Sequence, residues 1–142
     1  MSDYAVPAKN QSGKYLFAYF VGNKPLEERI HFAVSEDGYN FTPINDNKPV
    51  ITQQKGKKCV RDPYIFKGQD NFYYIIGTDM RCEEGWESNH ALVTWKSVDL
   101  INWTDETIID IKEMGEEYKN TTRAWAPQAI WDPEVEMYMV YW

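Results

Sequence analysis

Cysteine and histidine are scarce in this chain, with two of each among 142 residues. Cys59 and Cys82 are too few for a disulfide scaffold, and they lack the paired spacing of a zinc site. Two unrelated thiols are the simpler interpretation, and a bridge between them stays an alternative. His31 and His90 have no carboxylate or cysteine neighbour at ligand spacing, so the sequence does not indicate a metal site.

Long apolar runs and an excess of basic charge are also lacking. No stretch approaches the ~18 apolar residues that a membrane-spanning helix needs, and the N-terminal segment MSDYAVPAKN has no apolar core typical of a secretory signal. The chain has 15 Lys and Arg against 22 Asp and Glu, for a formal net charge of -7. An acidic chain without a basic stripe is a poor nucleic-acid binder. We therefore expect a soluble protein with neither a nucleic-acid nor a membrane partner.

Aromatic residues are abundant, with 6 Trp, 10 Tyr and 6 Phe making up 15% of the chain. They lie in short apolar runs bounded by Gly, Asn, Asp and Pro, a pattern that predicts strands. The segment at 111–120 could form a helical turn or two, but no longer helix is indicated. The fold class predicted is all-β. The strands are expected near 15–20, 29–34, 62–66, 71–78, 90–96, 106–111, 127–131 and 137–142.

An internal repeat gives the architecture. The segment from Ser35 to Thr42 matches that from Ser97 to Thr104 as S-x-D-x-x-N-[FW]-T, 62 residues apart, and Pro63 and Pro127 begin matching runs. Four antiparallel strands repeated at a fixed period are typical of a β-propeller blade. We expect one partial propeller domain over 1–142. Its blade pieces are expected at about 14–50, 60–112 and 124–142, after an N-terminal tail at 1–13.

Closed propellers need about four to eight blades, and this chain supplies a little over two. We therefore expect a fragment, with a complete small β domain as the alternative. Its C-terminal strands would then have unpaired edges through which copies could self-associate.

Asp62 is the first candidate for chemistry, because it precedes Pro63 at the start of a predicted innermost strand. An Asp-Pro pair is also a common way to open a turn. Its neighbour Arg61 could pair with the carboxylate, or point away as a surface charge, which strand alternation favours. Trp86 lies in the polar loop after the second strand of the same unit. Since the exit of that strand lies beside the entry of the first, Trp86 and Asp62 should share a face.

The motifs V-R-D-P-Y-I-F, F-Y-Y-I-I-G-T-D, W-K-S-V-D-L-I-N-W and A-W-A-P-Q-A-I-W, in this order, resemble glycoside hydrolase family 43 over about residues 14–142. That family consists of five-bladed β-propeller enzymes acting on arabinose-, xylose- and galactose-containing plant polysaccharides. The resemblance implies that Asp62 is the general base and that Trp125 lines the sugar pocket. It places the catalytic acid, a glutamate, in a later blade beyond Trp142. Gln128 departs from the acidic residue that many members carry there, which weakens any inference of substrate.

The function expected is inverting hydrolysis of a glycoside, with Asp62 as base and a sugar site formed by Trp125, Tyr64, Trp86, Arg61 and Gln128. A non-catalytic carbohydrate-binding propeller and a structural repeat for protein partners are the alternatives. No cofactor is required, although a structural calcium ion is compatible with this function. The compartment stays open: the resemblance implies a secreted or periplasmic enzyme, and a cytoplasmic one is an alternative.

Overall fold

The computed structural model describes residues 14–87 and 89–142, which fold into three antiparallel β-sheets. The predicted N-terminal tail at 1–13 lies outside the described residues. Sheet 1 contains β1 (Tyr15–Tyr19), β2 (His31–Ser35) and β3 (Thr42–Pro43). Sheet 2 contains β4 (Val60–Lys67), β5 (Tyr73–Asp79), β6 (Ala91–Ser97) and β7 (Thr104–Asp110), and sheet 3 contains β8 (Gln128–Asp132) and β9 (Met137–Tyr141). The prediction of an all-β chain is confirmed.

Sheet 2 is packed on both faces, which its sequence explains. Successive strand residues point to opposite faces, so Ile75 and Val93 join an apolar cluster with Phe32 of sheet 1. Their neighbours Ile76 and Leu92 join a second cluster, against which Val140 of sheet 3 packs. The near-continuous apolar runs in β5 and β6 are expected of strands whose two faces are both buried. The three sheets therefore stack face to face in chain order.

Two tryptophans hold the interface between sheets 1 and 2. Trp95 is 3% exposed in the first cluster, and its indole Nε1 donates a hydrogen bond to Glu106 Oε2 at 3.1 Å. Trp103 packs edge-on against Phe32, with the ring centroids 6.0 Å apart. Both tryptophans are therefore packing residues of this interface.

The repeated S-x-D-x-x-N turns have the same hydrogen bonds in sheets 1 and 2. Asp37 Oδ1 accepts hydrogen bonds from the backbone N–H groups of Tyr39 and Asn40, both at 2.8 Å. Asp99 Oδ1 accepts from Ile101 and Asn102 at 2.9 and 2.8 Å. These bonds, of which those from Asn40 and Asn102 contribute most, hold the pKa of both aspartates well below its usual range. The internal repeat read from the sequence is thus a repeat of structure.

Helical structure is confined to short turns in the part of the chain that the structure describes. Two 3-10 turns, Ile111–Glu113 and Glu116–Tyr118, lie in the segment expected to form a helical turn or two. None of the helical segments in residues 14–87 and 89–142 has the length and apolar character needed to cross a membrane.

Sheet 3 has an unpaired edge among the described strands, because β9 pairs with β8 alone. Its side chains Met137 and Met139 are 61% and 57% exposed.

Candidate functional site

Asp62 lies in an irregular part of β4, the strand at one edge of sheet 2. The pairing of β4 with β5 shifts register between Arg61 and Tyr64, as at a β-bulge. Asp62 has a left-handed backbone, with φ at 49°. The following Pro63 disfavours that conformation, so the surrounding contacts must hold it at a cost of order 1–3 kcal/mol. The bulge leaves the Asp62 side chain half-buried at the strand start.

A threonine hydroxyl fixes the Asp62 carboxylate. Thr78, on the neighbouring strand β5, is fully buried, and its Oγ1 donates a hydrogen bond to Asp62 Oδ2 at 3.0 Å. The same Oγ1 accepts a hydrogen bond from the backbone N–H of Ala126 at 2.9 Å. Ala126 precedes Pro127 and also has φ at 49°, so it repeats the backbone of Asp62 at the entry to sheet 3. One hydroxyl therefore joins the starts of two successive repeats.

Arg61 forms a buried ion pair with a residue remote in sequence. Its Nη1 lies 3.1 Å from Glu28 Oε1, and the two side chains are 11% and 0% exposed. The same nitrogen donates to Asn23 Oδ1 at 2.7 Å. The interpretation of Arg61 as a surface charge is therefore wrong, because the loop before β2 folds over it and supplies a carboxylate. Its ion-pair partner is Glu28, rather than the adjacent Asp62.

Glu28 also anchors the loop that contains Trp86. The backbone N–H of Cys82 donates to Glu28 Oε1 and Oε2 at 3.0 and 3.2 Å. The guanidinium of Arg61 lies near two aromatic rings, 4.4 Å from the centroid of Phe20 and 5.6 Å from that of Trp86. Such contacts between a cation and an aromatic face are attractive. The buried pair thus supports an indole that is itself 50% exposed.

Trp86 and Trp125 are in edge-to-face contact. Their ring centroids are 6.1 Å apart and their planes make an angle of 75°. Trp125 is oriented from behind by Asn89, a fully buried residue whose Oδ1 accepts a hydrogen bond from the indole Nε1 at 2.6 Å. The guanidinium of Arg123 lies 4.9 Å from the Trp125 ring. Each of the two indoles is held in place and has accessible surface, and the apolar face of a sugar can stack on such a ring.

The other two predicted sugar contacts lie elsewhere on the strands. Tyr64 stacks on Phe66 at 5.7 Å and packs against the apolar cluster between sheets 2 and 3. Gln128 is exposed at the start of β8, where its Oε1 accepts a hydrogen bond from the Tyr141 hydroxyl at 2.6 Å. A contact of either residue with sugar stays a prediction.

Both cysteines are free thiols. Burial raises the pKa of Cys59 to about 11 and also raises that of Cys82. The nearby Glu28 carboxylate adds to both shifts. A thiol with a raised pKa is a poor nucleophile at neutral pH, so neither is a candidate for covalent chemistry.

The two histidines are separate. His31 is 4% exposed beside the ring of Tyr19, and burial lowers its pKa. His90 Nδ1 lies 2.7 Å from Asp110 Oδ1, a partner that the sequence spacing did not indicate because it comes from the facing strand β7. Among residues 14–87 and 89–142, no cluster of three or more His, Cys, Asp or Glu side chains could hold a metal ion.

Sequence reasoning missed three residues that support this site: Thr78, Glu28 and Asn89. The position of Thr78 could have been found by pairing the two strands of the β4–β5 hairpin, since it is the register partner of Arg61. Glu28 gave no signal, because an acidic residue in a polar loop is ordinarily solvated. Asn89 stands in the same polar loop as Trp86, where an amide is unremarkable.

An all-β domain with a carboxylate held at a strand start and two supported indoles is of the kind expected in glycoside hydrolases. Residues 10–142 match the family model described as "Probable glycosyl hydrolase domain", which is related to glycoside hydrolase family 43. The chain belongs to this family, and the resemblance read from its motifs is confirmed.

A curated relative supports the same assignment. The chain is 26% identical to an "Alpha-L-arabinofuranosidase" of Bifidobacterium longum subsp. longum, over 74% of this chain and 10% of that protein. The chain thus spans about a tenth of the length of the curated relative that it matches.

Proposed function

We propose that this chain contributes the general base and part of the sugar site of an inverting glycosidase. The substrates are arabinose-, xylose- or galactose-containing plant polysaccharides or oligosaccharides. Arabinofuranosides are the first substrates that we propose, because the relative with the matching segment is named as an arabinofuranosidase. The observation that carries the proposal is the Asp62 carboxylate, held at one oxygen by Thr78 in a chain of this family.

In the proposed reaction, Asp62 removes a proton from a water molecule while the water oxygen attacks the anomeric carbon. The bond from that carbon to the leaving oxygen breaks, and the leaving oxygen takes a proton from an opposing carboxylic acid. Inverting enzymes hold the two carboxyl groups ~6.5 to 9.5 Å apart, which leaves room for the water. The family resemblance implies that this acid is a glutamate of a later blade. The stacked three-sheet arrangement supports a five-bladed propeller in which such a blade would face Asp62.

The sugar would stack on Trp86 and Trp125. Both indoles are held from behind, by the Arg61–Glu28 pair and by Asn89 respectively, so little side-chain entropy would be lost on binding. The exposed amide of Gln128, three residues after Trp125, would offer a neutral hydrogen-bond partner to a sugar hydroxyl.

Binding of oligosaccharide by the chain tests the sugar site. The indole N–H signals of Trp86 and Trp125 should shift on titration with arabino-oligosaccharides, and Trp86→Ala should weaken binding by about tenfold, since stacking on an exposed indole contributes ~1.4 kcal/mol. The matched control is Tyr39→Ala, which removes an aromatic ring that is 89% exposed in the turn after β2. Indole signals that do not move with arabinose-, xylose- or galactose-containing oligosaccharides would contradict the site.

Hydrolysis by the 142-residue chain tests the placement of the acid. Because the proposed acid lies in a later blade, the chain alone should bind sugar without cleaving it. Substantial release of product from an aryl arabinofuranoside would show that an acid is already present, and would refute this part of the proposal.

A further inference from the structure

We propose that Thr78 is the positioning residue of Asp62: its hydroxyl holds Asp62 Oδ2 and leaves Oδ1 as the oxygen that meets the attacking water. This inference rests on the proposed function, since it concerns the orientation of the proposed base. Thr78 also links the Asp62 carboxylate in sheet 2 to the backbone of Ala126, which follows Trp125 just before sheet 3 begins.

The direction of the hydrogen bonds is fixed by the chemistry of the three groups. The backbone N–H of Ala126 can only donate, so it uses a lone pair of Thr78 Oγ1. An ionised carboxylate can only accept, so the single hydroxyl proton of Thr78 must point to Asp62. Since Thr78 is fully buried, water does not compete for either bond. The carboxylate oxygen Oδ2 is therefore already occupied by a donor.

The same hydroxyl also holds the two left-handed strand starts. Asp62 and Ala126 each adopt φ of 49° before a proline, a conformation that needs support from its surroundings. Trp125 immediately precedes Ala126, so the bond from Ala126 to Thr78 places the backbone of a proposed sugar contact relative to the base. Threonine suits this position, because its branched side chain has few rotamers and keeps the hydroxyl between both partners.

The test compares the wild-type chain with Thr78→Val, which is nearly isosteric but has no hydroxyl, and with Thr78→Ser, which retains it. The matched control is Thr107→Val on β7, which removes an exposed hydroxyl that donates to the Asp105 carbonyl. The readouts are the carboxyl ¹³C signal of Asp62 and the amide signal of Ala126, compared by NMR at neutral pH. The neighbouring groups Arg61, Glu28 and Cys82 are the same in all four proteins.

In the wild-type protein and in Thr78→Ser, both signals should lie at similar positions, because the hydroxyl is present in each. In Thr78→Val, both signals should move, since the Asp62 carboxylate loses a donor and the Ala126 amide loses its acceptor. Thr107→Val should behave as the wild type.

A folded Thr78→Val protein with an unchanged Asp62 carboxyl signal would overturn the proposal and leave Thr78 as a packing residue. Should Thr78→Val fail to fold, Asp62→Asn decides: an Ala126 amide signal that stays at its wild-type position would equally overturn it. Neither readout involves sugar or turnover. An Asp62→Asn protein that remains fully active would refute the proposed function without altering these results.

Discussion

Replacing Glu28 by glutamine should destabilise the fold far more than its position in a loop would suggest. The substitution keeps an oxygen that can accept from the Cys82 N–H, but it removes the negative charge beside Arg61. The guanidinium, in a side chain only 11% exposed, would remain buried without a counter-charge. Removing one partner of a buried pair typically costs ~3–5 kcal/mol.

Two contacts offset part of that cost. Arg61 keeps its hydrogen bond to Asn23 at 2.7 Å and its position over the Phe20 ring at 4.4 Å. We therefore expect the free energy of unfolding to fall by about 2 to 4 kcal/mol. With an m-value of roughly 2 kcal/mol per molar urea, the unfolding midpoint should fall by about 1 to 2 M. Urea unfolding followed by tryptophan fluorescence and circular dichroism measures this shift.

Glu36→Gln is the control, because it removes the charge from an exposed pair. Glu36 Oε1 lies 2.8 Å from Lys14 Nζ, and the side chains of Lys14 and Glu36 are 69% and 77% exposed. Such a pair contributes little, so the unfolding midpoint of Glu36→Gln should stay close to that of the wild type. Equal midpoints for Glu28→Gln and Glu36→Gln would refute the reasoning. A double replacement of Glu28 and Arg61 by methionine should recover most of the loss, since it leaves no unpaired charge.

Two further predictions concern stability. Because hydrogen bonds lower the folded-state pKa of Asp99 below its unfolded value, its contribution is present above about pH 4 and disappears as the pH falls further. The melting temperature of Asp99→Ala should therefore lie below that of the wild type at neutral pH and approach it near pH 2; a constant gap would contradict this. Ile75→Ala, at a fully buried position in the sheet 1 and sheet 2 core, should cost ~2–5 kcal/mol in urea unfolding. Ile101→Ala, at a position 79% exposed, should change stability by less than about 0.5 kcal/mol, and similar losses in the two proteins would place Ile75 outside the core.

The fold was largely predictable because its signals are local. Short aromatic and β-branched runs indicate strands, and the Ser97 to Thr104 turn repeats that of Ser35 to Thr42 because an aspartate at the same position accepts the same backbone hydrogen bonds. Asp62 and Trp86 could likewise be predicted as candidates from their places before a proline and in a polar loop, and Trp125 followed from the family resemblance.

What the sequence did not reveal depends on contacts between distant segments. Glu28 is 33 residues from Arg61, and a charged loop residue carries no sign that a strand will bury it. The bulge after Arg61 interrupts strand alternation, so the direction of that side chain could not be read from its position. The hydrogen bonds of Thr78 to Asp62 and Ala126 depend on the register of β4 with β5 and on the packing of sheet 3 against sheet 2. Neither can be read from the sequence of a single strand.

The turnover of Asp62→Asn tests the central claim most directly. The comparison uses a catalytically active form of the protein, with an aryl arabinofuranoside as substrate and circular dichroism as the check of folding. If Asp62 activates the water, kcat/KM should fall by roughly two to four powers of ten while the fold is retained. Full activity in folded Asp62→Asn would contradict the account, and would leave Asp62 as a residue that only shapes the start of β4.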